Sequence, residues 1–271
     1  MNSKINWFPG HMKSALDMIR SELGLCDVII YVLDARCPKS CLNPKFAEFT
    51  ARKPVLFVLN KSDLASAIIS GQLDFANNAV YLKLNSTLSG AGQKIIPAVA
   101  KLVTEKIKTA ESKGVKKTIR TVVIGVTNCG KSTLINNLAG SRKALVGDKP
   151  GVTRSKQWVA VKDNFWVLDT PGTLWPSFEN QQVAKNLAYV GSIKDDILDI
   201  VDLAKNLLED LKKLDANCLV NRFEADTFEG ICKKRGYILK GGALDEERAA
   251  KAILTEFRAG KIGRFNLDEL L

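Results

Sequence analysis

Long apolar runs are absent from this 271-residue chain. Its longest stretches, such as Val28-Ile29-Ile30-Tyr31-Val32-Leu33, are far too short to cross a bilayer and suit buried strands. A secretory signal core is missing too, because Pro9, Gly10, His11 and Lys13 interrupt any apolar start. An organellar presequence is not expected: Trp7-Phe8-Pro9-Gly10-His11 reads as working sequence and leaves no room before it. The six cysteines form no C-x-x-C pair and no regular spacing, so neither a zinc site nor a disulfide framework is indicated. These absences predict a reduced, cytoplasmic setting with no membrane partner.

Acidic charge is in short supply. The chain has 40 Lys and Arg against 29 Asp and Glu, a formal net charge of +11. Residues 1–175 carry 25 basic against 12 acidic side chains, whereas residues 176–271 carry 15 against 17. A surplus confined to one part is the footprint of a polyanion, most commonly RNA; solubility plus nucleotide phosphates is the plainer alternative. DNA is not expected. Lys233-Lys234-Arg235 and Lys240 form a local basic cluster in the otherwise balanced second part.

Patterning divides the chain at the same place. Leu16, Ile19 and Leu23 share one face of a predicted helix ending near Gly24. Apolar runs at 27–34 and 54–60 read as buried strands, those at 80–85 and 121–124 as further strands, and two more at 157–161 and 165–168 flank a turn. A helix over 92–113 precedes the fourth strand, and another over 131–138 follows it. Beyond Trp175-Pro176-Ser177 no strand pattern remains, and helical periodicity covers 193–214, 223–234 and 245–259. The expected architecture is α/β over 1–175, a mostly parallel sheet flanked by helices, followed by a smaller all-α domain over 176–271.

Five motifs are present, in an unusual order. Gly125-Val126-Thr127-Asn128-Cys129-Gly130-Lys131-Ser132 matches the G-x-x-x-x-G-K-S phosphate loop and lies between a strand and a helix. Backbone N–H groups around its glycine turn and the helix N-terminus form an anion site. Lys131 would pair with the β- and γ-phosphates and so act in catalysis, while the Ser132 hydroxyl would bind Mg2+. Asn128, Cys129, Gly130 and Thr133 complete the nucleotide-facing loop. Asp169-Thr170-Pro171-Gly172 follows: Asp169 would hold Mg2+ through water, and the Gly172 N–H would sense the γ-phosphate. Pro150-Gly151-Val152-Thr153 is placed as a first switch, with Thr153 a hydroxyl ligand to Mg2+ when GTP is present; a Pro-Gly turn before an unrelated threonine is the alternative.

Asn60-Lys61-Ser62-Asp63 reads as the guanine-specificity motif. The Asp63 carboxylate accepts both N1–H and the exocyclic N2–H2 of guanine, a donor pair adenine lacks. Asn60 would bond the other edge of the base and tie its loop to the phosphate loop, and Lys61 would lay its stem along the base plane. Asn85-Ser86-Thr87, after the third strand, is the expected second base loop, offering backbone N–H to the guanine carbonyl. A conventional small GTPase runs phosphate loop, Asp-x-x-Gly, Asn-Lys-x-Asp. Here the specificity motif comes first: the cyclic order is kept and the chain is cut elsewhere, so the α/β part is a circularly permuted P-loop GTPase domain.

The glutamine that orients the attacking water directly after Asp-x-x-Gly in Ras-like enzymes is missing. Thr173 stands there and cannot reach in the same way. Either another group positions the water or hydrolysis waits for a partner. His11 is the one histidine, and the residues alone leave it structural or catalytic. Arg36 is open between an RNA contact and a salt-bridge partner beneath the nucleotide site, with the structural role favoured.

The permuted order, Trp7-Phe8-Pro9-Gly10-His11-Met12, Asp34-Ala35-Arg36-Cys37-Pro38 and Asp169-Thr170-Pro171-Gly172 together resemble the ribosome biogenesis GTPase A family (YlqF/RbgA type). The likeness covers nearly the whole chain, Lys240-Gly241-Gly242 included. It implies a bacterial cytoplasmic GTPase acting late in maturation of the large ribosomal subunit, with a helical domain that meets RNA. It implies that His11 replaces the missing glutamine, and that Asn128 ligates a K+ ion near the β/γ-phosphate bridge beside GTP or GDP and Mg2+. The implied partners are the large-subunit precursor and its rRNA, bound in the GTP state and released on hydrolysis, with turnover slow until the subunit stimulates it. Thr173 is a departure, since the family usually carries an apolar residue there. A nucleotide-gated RNA-binding protein with incidental hydrolysis is the competing function.

Overall fold

A computed structural model describes residues 5, 11–66, 75, 79–140 and 157–271. Six strands form one sheet: β1 Val28–Asp34, β2 Val55–Asn60, β3 Val80–Lys83, β4 Ile119–Ile124, β5 Gln157–Lys162 and β6 Phe165–Asp169. Their order is β3-β2-β1-β4-β6-β5, parallel throughout except for the β5–β6 hairpin. Every residue of β1 and β2 is buried, which requires cover on both faces and explains why these strands read as unbroken apolar runs.

Helices α1 His11–Glu22, α2 Ala47–Thr50, α3 Ile95–Leu102, α4 Thr104–Glu111 and α5 Lys131–Ala139 accompany the sheet. The helical segment that follows holds α6 Gln181–Tyr189, α7 Ile200–Leu214, α8 Cys218–Phe223, α9 Phe228–Lys234 and α10 Glu246–Arg258. On α1, Met12, Leu16 and Ile19 form the buried face. Among the described residues no helix is long and apolar enough to cross a membrane.

The continuous helix expected over 92–113 is broken. A 3-10 turn at Ala91–Lys94 leads into α3, and Val103 leaves helical geometry at φ −122° and ψ 21° before α4 begins. The break turns Val103 into the core while α4 buries nothing. Two other expected helices also divide. Asp199 accepts from the N–H groups of Val201 and Asp202, so α7 starts at Ile200 and not at 193. Glu224, left-handed at φ 56°, ends α8, and the Thr227 side chain accepts from Gly230 N–H to open α9. Helix α6 escaped the periodicity because Asn186 is buried in the middle of it. A β-bridge between Ile238 and Leu244 flanks Lys240-Gly241-Gly242, pairing that the sequence pattern does not show.

The end of the chain returns to the sheet. Asp268 accepts from the backbone N–H groups of Lys39 at 2.5 Å and Ser40 at 3.1 Å, and Leu267 N–H donates to the Arg36 carbonyl at 2.7 Å. The stretch just after β1 is therefore clamped by the last residues of the helical segment.

Candidate active site

The carboxyl ends of β1, β2, β4 and β6 meet along one edge, with Asp34 in register with Asn60 and Ile124 with Tyr31. Open α/β sheets bind their ligands at this edge. Asn60 closes β2 with 1% of its surface exposed. Its Nδ2 donates to the Cys129 carbonyl at 2.8 Å, and its Oδ1 accepts from Ser86 N–H at 2.9 Å. One side chain thus joins the specificity loop, the phosphate loop and the second base loop. Lys61, at φ 57°, sends its ammonium to the Asn128 carbonyl at 2.7 Å and to Asp34 Oδ2 at 3.0 Å. Asp63 is exposed on the same loop.

In the second base loop the Asn85 side chain accepts from the N–H and O–H of Thr87, so it shapes the turn from within. Ser86 is buried, and its carbonyl accepts from Asn137 Nδ2 at 3.1 Å. Asn137 also donates to the Leu88 carbonyl and accepts from Gly92 N–H. No motif marks Asn137; it pins this loop to α5 through main-chain groups that a sequence does not reveal.

The phosphate loop joins β4 to α5. Gly130 takes φ 97°, and a side chain there would meet the Asn60 amide. Lys131 is 6% exposed and folds back, donating to the carbonyls of Val126 at 2.8 Å and Gly125 at 3.3 Å. A buried ammonium needs such acceptors. Thr133 is half-buried on the first turn of α5, and the Cys129 thiol is buried, which pushes its pKa up. Ser132 Oγ donates to Asp169 Oδ2 at 3.2 Å, while Asp169 Oδ1 is buried with no hydrogen-bond partner among the described residues. Burial raises the Asp169 pKa, against the opposing pull of Lys131 and Ser132. An orphan carboxylate oxygen beside a serine hydroxyl is a hard-oxygen donor set, so these residues fit Mg2+. Gly172 lies against the same loop: a Cβ on it would stand 2.7 Å from Thr127 Cα and 2.9 Å from Lys131 Nζ.

Thr173 is fully buried. Its N–H donates to the Gly125 carbonyl, and its own carbonyl and hydroxyl lie 3.4 and 3.5 Å from Asn43 Nδ2. Asn43 thus answers the polarity that sets this position apart. Next along, Leu174 N–H donates to the sulfur of buried Met12 at 3.4 Å, which seats the first turn of α1 against the chain just past Gly172. His11 opens α1. The His11 side chain lies outside the described residues, as does the whole Pro150–Thr153 switch segment with Thr153.

Three bonds join the phosphate loop to the turn after α6. The Thr127 hydroxyl donates to the Ser192 carbonyl, Ser192 Oγ donates to the Thr127 carbonyl at 2.8 Å, and Asn128 Nδ2 donates to the Gly191 carbonyl at 2.9 Å. A Gly-Ser pair after an apolar helix end is the only trace of this contact in the sequence. Arg36 resolves as structural: it is 2% exposed, with Nε and Nη2 on the two oxygens of Asp34 at 2.9 and 2.8 Å. Burial opposes the charge on Asp34, but Arg36 and Lys61 outweigh it and hold the carboxyl well below the usual range.

A family model described as "50S ribosome-binding GTPase" matches residues 120–226. The match begins in the phosphate-loop strand and omits β1 and β2 with Asn60–Asp63, as follows when the chain is cut after Asp-x-x-Gly and the specificity motif comes to precede that strand. Ribosome biogenesis GTPase A of Priestia megaterium is 38% identical over 98% of this chain and 96% of its own length. The Bacillus cereus protein of the same name is 38% identical over 97% and 93%. The crystal structure of GNP-bound YlqF from T. maritima aligns with a TM-score of 0.64 over 94% of this chain and 97% of that one. At 24% identity it shows a shared fold.

Proposed function

The chain belongs to the ribosome biogenesis GTPase A family, and from that premise we propose that it acts late in maturation of the large ribosomal subunit, docking with GTP bound and leaving after hydrolysis. The chemical part is carried by one observation: the Ser132–Asp169 pair, with a buried carboxylate oxygen lacking a partner among the described residues, beneath the phosphate loop. In this reading Asp63, Asn60 and Lys61 select guanine, with the Asn85–Ser86 loop on the carbonyl edge. The loop N–H groups hold the phosphates, and Lys131 exchanges its present carbonyl partners for phosphate oxygens. Ser132, Asp169 and Thr153 would hold Mg2+, which when bound offsets phosphate charge. Gly172 N–H reports the γ-phosphate.

His11 takes the water-orienting role in this proposal. Support comes from its neighbour Met12, whose bond to Leu174 N–H keeps the start of α1 against the Asp169–Gly172 segment. Asn128, whose amide nitrogen donates to the Gly191 carbonyl, would offer its amide oxygen to K+. The basic surplus of residues 1–175 favours rRNA as a direct contact. The division at 175/176 separates nucleotide chemistry from a helical domain that shares in RNA binding.

The test is GTP turnover with and without purified large ribosomal subunits, in K+ and in Na+, for wild type and His11→Ala. Strong stimulation that vanishes in the variant is expected. No stimulation would favour a nucleotide-gated binder. Stimulation that survives in the variant would move the water-positioning role to another group.

A further inference from the structure

Asp34 ends β1, is fully buried, and has no part in the chemistry above. Its Oδ1 accepts from the Arg36 backbone N–H at 3.1 Å and from Arg36 Nε at 2.9 Å; its Oδ2 accepts from Arg36 Nη2 at 2.8 Å and Lys61 Nζ at 3.0 Å. The same Lys61 ammonium reaches the Asn128 carbonyl of the phosphate loop at 2.7 Å. On its other side Arg36 rests over the Phe257 ring, 5.5 Å from the centroid, and donates to the Arg258 carbonyl at 3.4 Å, both in α10. The Arg258 side chain turns back to the carbonyls of Tyr189 and Ala188 at 3.0 Å and forks onto Asp195 at 2.7 Å. Those carbonyls end α6, just ahead of Gly191, whose own carbonyl accepts from Asn128. The path closes on itself: Lys61, Asp34, Arg36, α10, the end of α6, Asn128.

We propose that Asp34 is a positioning residue for the guanine nucleotide, which with Arg36 fixes Lys61 across the base and phosphate loops and makes nucleotide affinity sensitive to the seating of α10. The proposal rests on the reading of Lys61 as the lysine that lies along the base. A lysine side chain has many rotamers, and a carbonyl alone selects among them weakly; a buried carboxylate adds a charged bond that narrows the choice. That carboxylate is oriented by a bidentate arginine, and the arginine is held flat by Phe257 and the Arg258 carbonyl. If α10 lifts away, Arg36 loses both supports and its grip on Asp34 loosens.

The experiment is the dissociation rate of a fluorescent GDP analogue from the full chain. Wild type, Asp34→Asn and Phe257→Leu are compared, each with and without Lys61→Met. Asp34→Asn and Phe257→Leu are each expected to speed dissociation about tenfold, the scale of one charge-assisted bond. On the Lys61→Met background either change should add less than about twofold, because residues acting through one contact are not additive. Full additivity would make Asp34 a structural residue and overturn the proposal. Should Asp34→Asn fail to fold, the Phe257→Leu cycle decides alone, and an unchanged rate there overturns the link to α10. If Lys61→Met alone leaves the rate unchanged, the reading of Lys61 fails first; a Lys61 effect with additive partners sinks the positioning role only.

Discussion

Asp169 is buried where its charge is poorly compensated, and burial raises its pKa in the folded protein. The sign of the consequence follows from linkage: a carboxyl with a raised folded pKa detracts from stability above its unfolded value, and protonation at lower pH removes the deficit. Asp169→Asn should therefore stabilise the nucleotide-free protein at neutral pH by about 1 kcal/mol, on the scale of relieving one poorly solvated polar group. Mg2+-dependent turnover should fall by about 100-fold or more, as when a preorganised electrostatic group is removed. Thermal unfolding in chelator and turnover in Mg2+ check the two halves; a destabilised variant would mean that Ser132 and Lys131 outweigh burial. Asp169, Asn60 and the phosphate loop were legible in the sequence because their chemistry demands particular side chains at fixed spacing. Asn137, Asn43 and Ser192 were not, since each bonds main-chain groups brought near only by the fold.

At the scale of elements, continuous burial on both sheet faces made β1 and β2 readable to within a residue, whereas β4, with Arg120 exposed, begins two residues before its apolar run at 121–124. The break at Val103 and the helix α6 were hidden because tertiary contacts set them: Val103 turns inward, and Asn186 sits inside α6 because Ser40 Oγ and the Leu267 carbonyl accept its amide. The close approach of the Asp169–Gly172 segment to the phosphate loop is likewise visible only in three dimensions, although the glycine that permits it is part of a motif. Gly172→Ala puts a carbon 2.7 Å from Thr127 Cα. Overpacking of that kind costs about 1–3 kcal/mol, and the segment has to lift off the loop to relieve it. Weaker GTP binding, by about tenfold on that energy scale, is expected with a smaller change for GDP, because the Gly172 N–H is the group proposed to meet the γ-phosphate. Equilibrium titration with both nucleotides distinguishes this from an equal loss, which would assign Gly172 to packing alone.

Across the whole molecule, charge and nucleotide site lie in the same half. The surplus of 25 basic over 12 acidic side chains belongs to residues 1–175, and the basic run in the helical segment is partly matched where it stands. Lys234 lies 3.2 Å from Glu224, and Arg235 lies 3.9 Å from Glu256 with its guanidinium over Phe223. The Lys234–Glu224 pair is exposed and adds little stability, and the Arg235–Glu256 pair is partly buried; both carboxylates lower the local potential that would gather around three adjacent cations. Subunit binding through rRNA should weaken steeply with salt, by about 1000-fold between roughly 50 and 200 mM if about six phosphates are neutralised. Replacing Lys233, Lys234 and Arg235 together by Gln should then reduce the log–log slope by about one, the effect of a single phosphate contact, and not by about three. Titrations of wild type and the triple variant at several salt concentrations read this directly. A drop near three would make the helical segment the principal RNA face, with Glu224 and Glu256 releasing their partners on binding. A slope near zero in the wild type would replace RNA by a protein surface of the subunit as the docking partner.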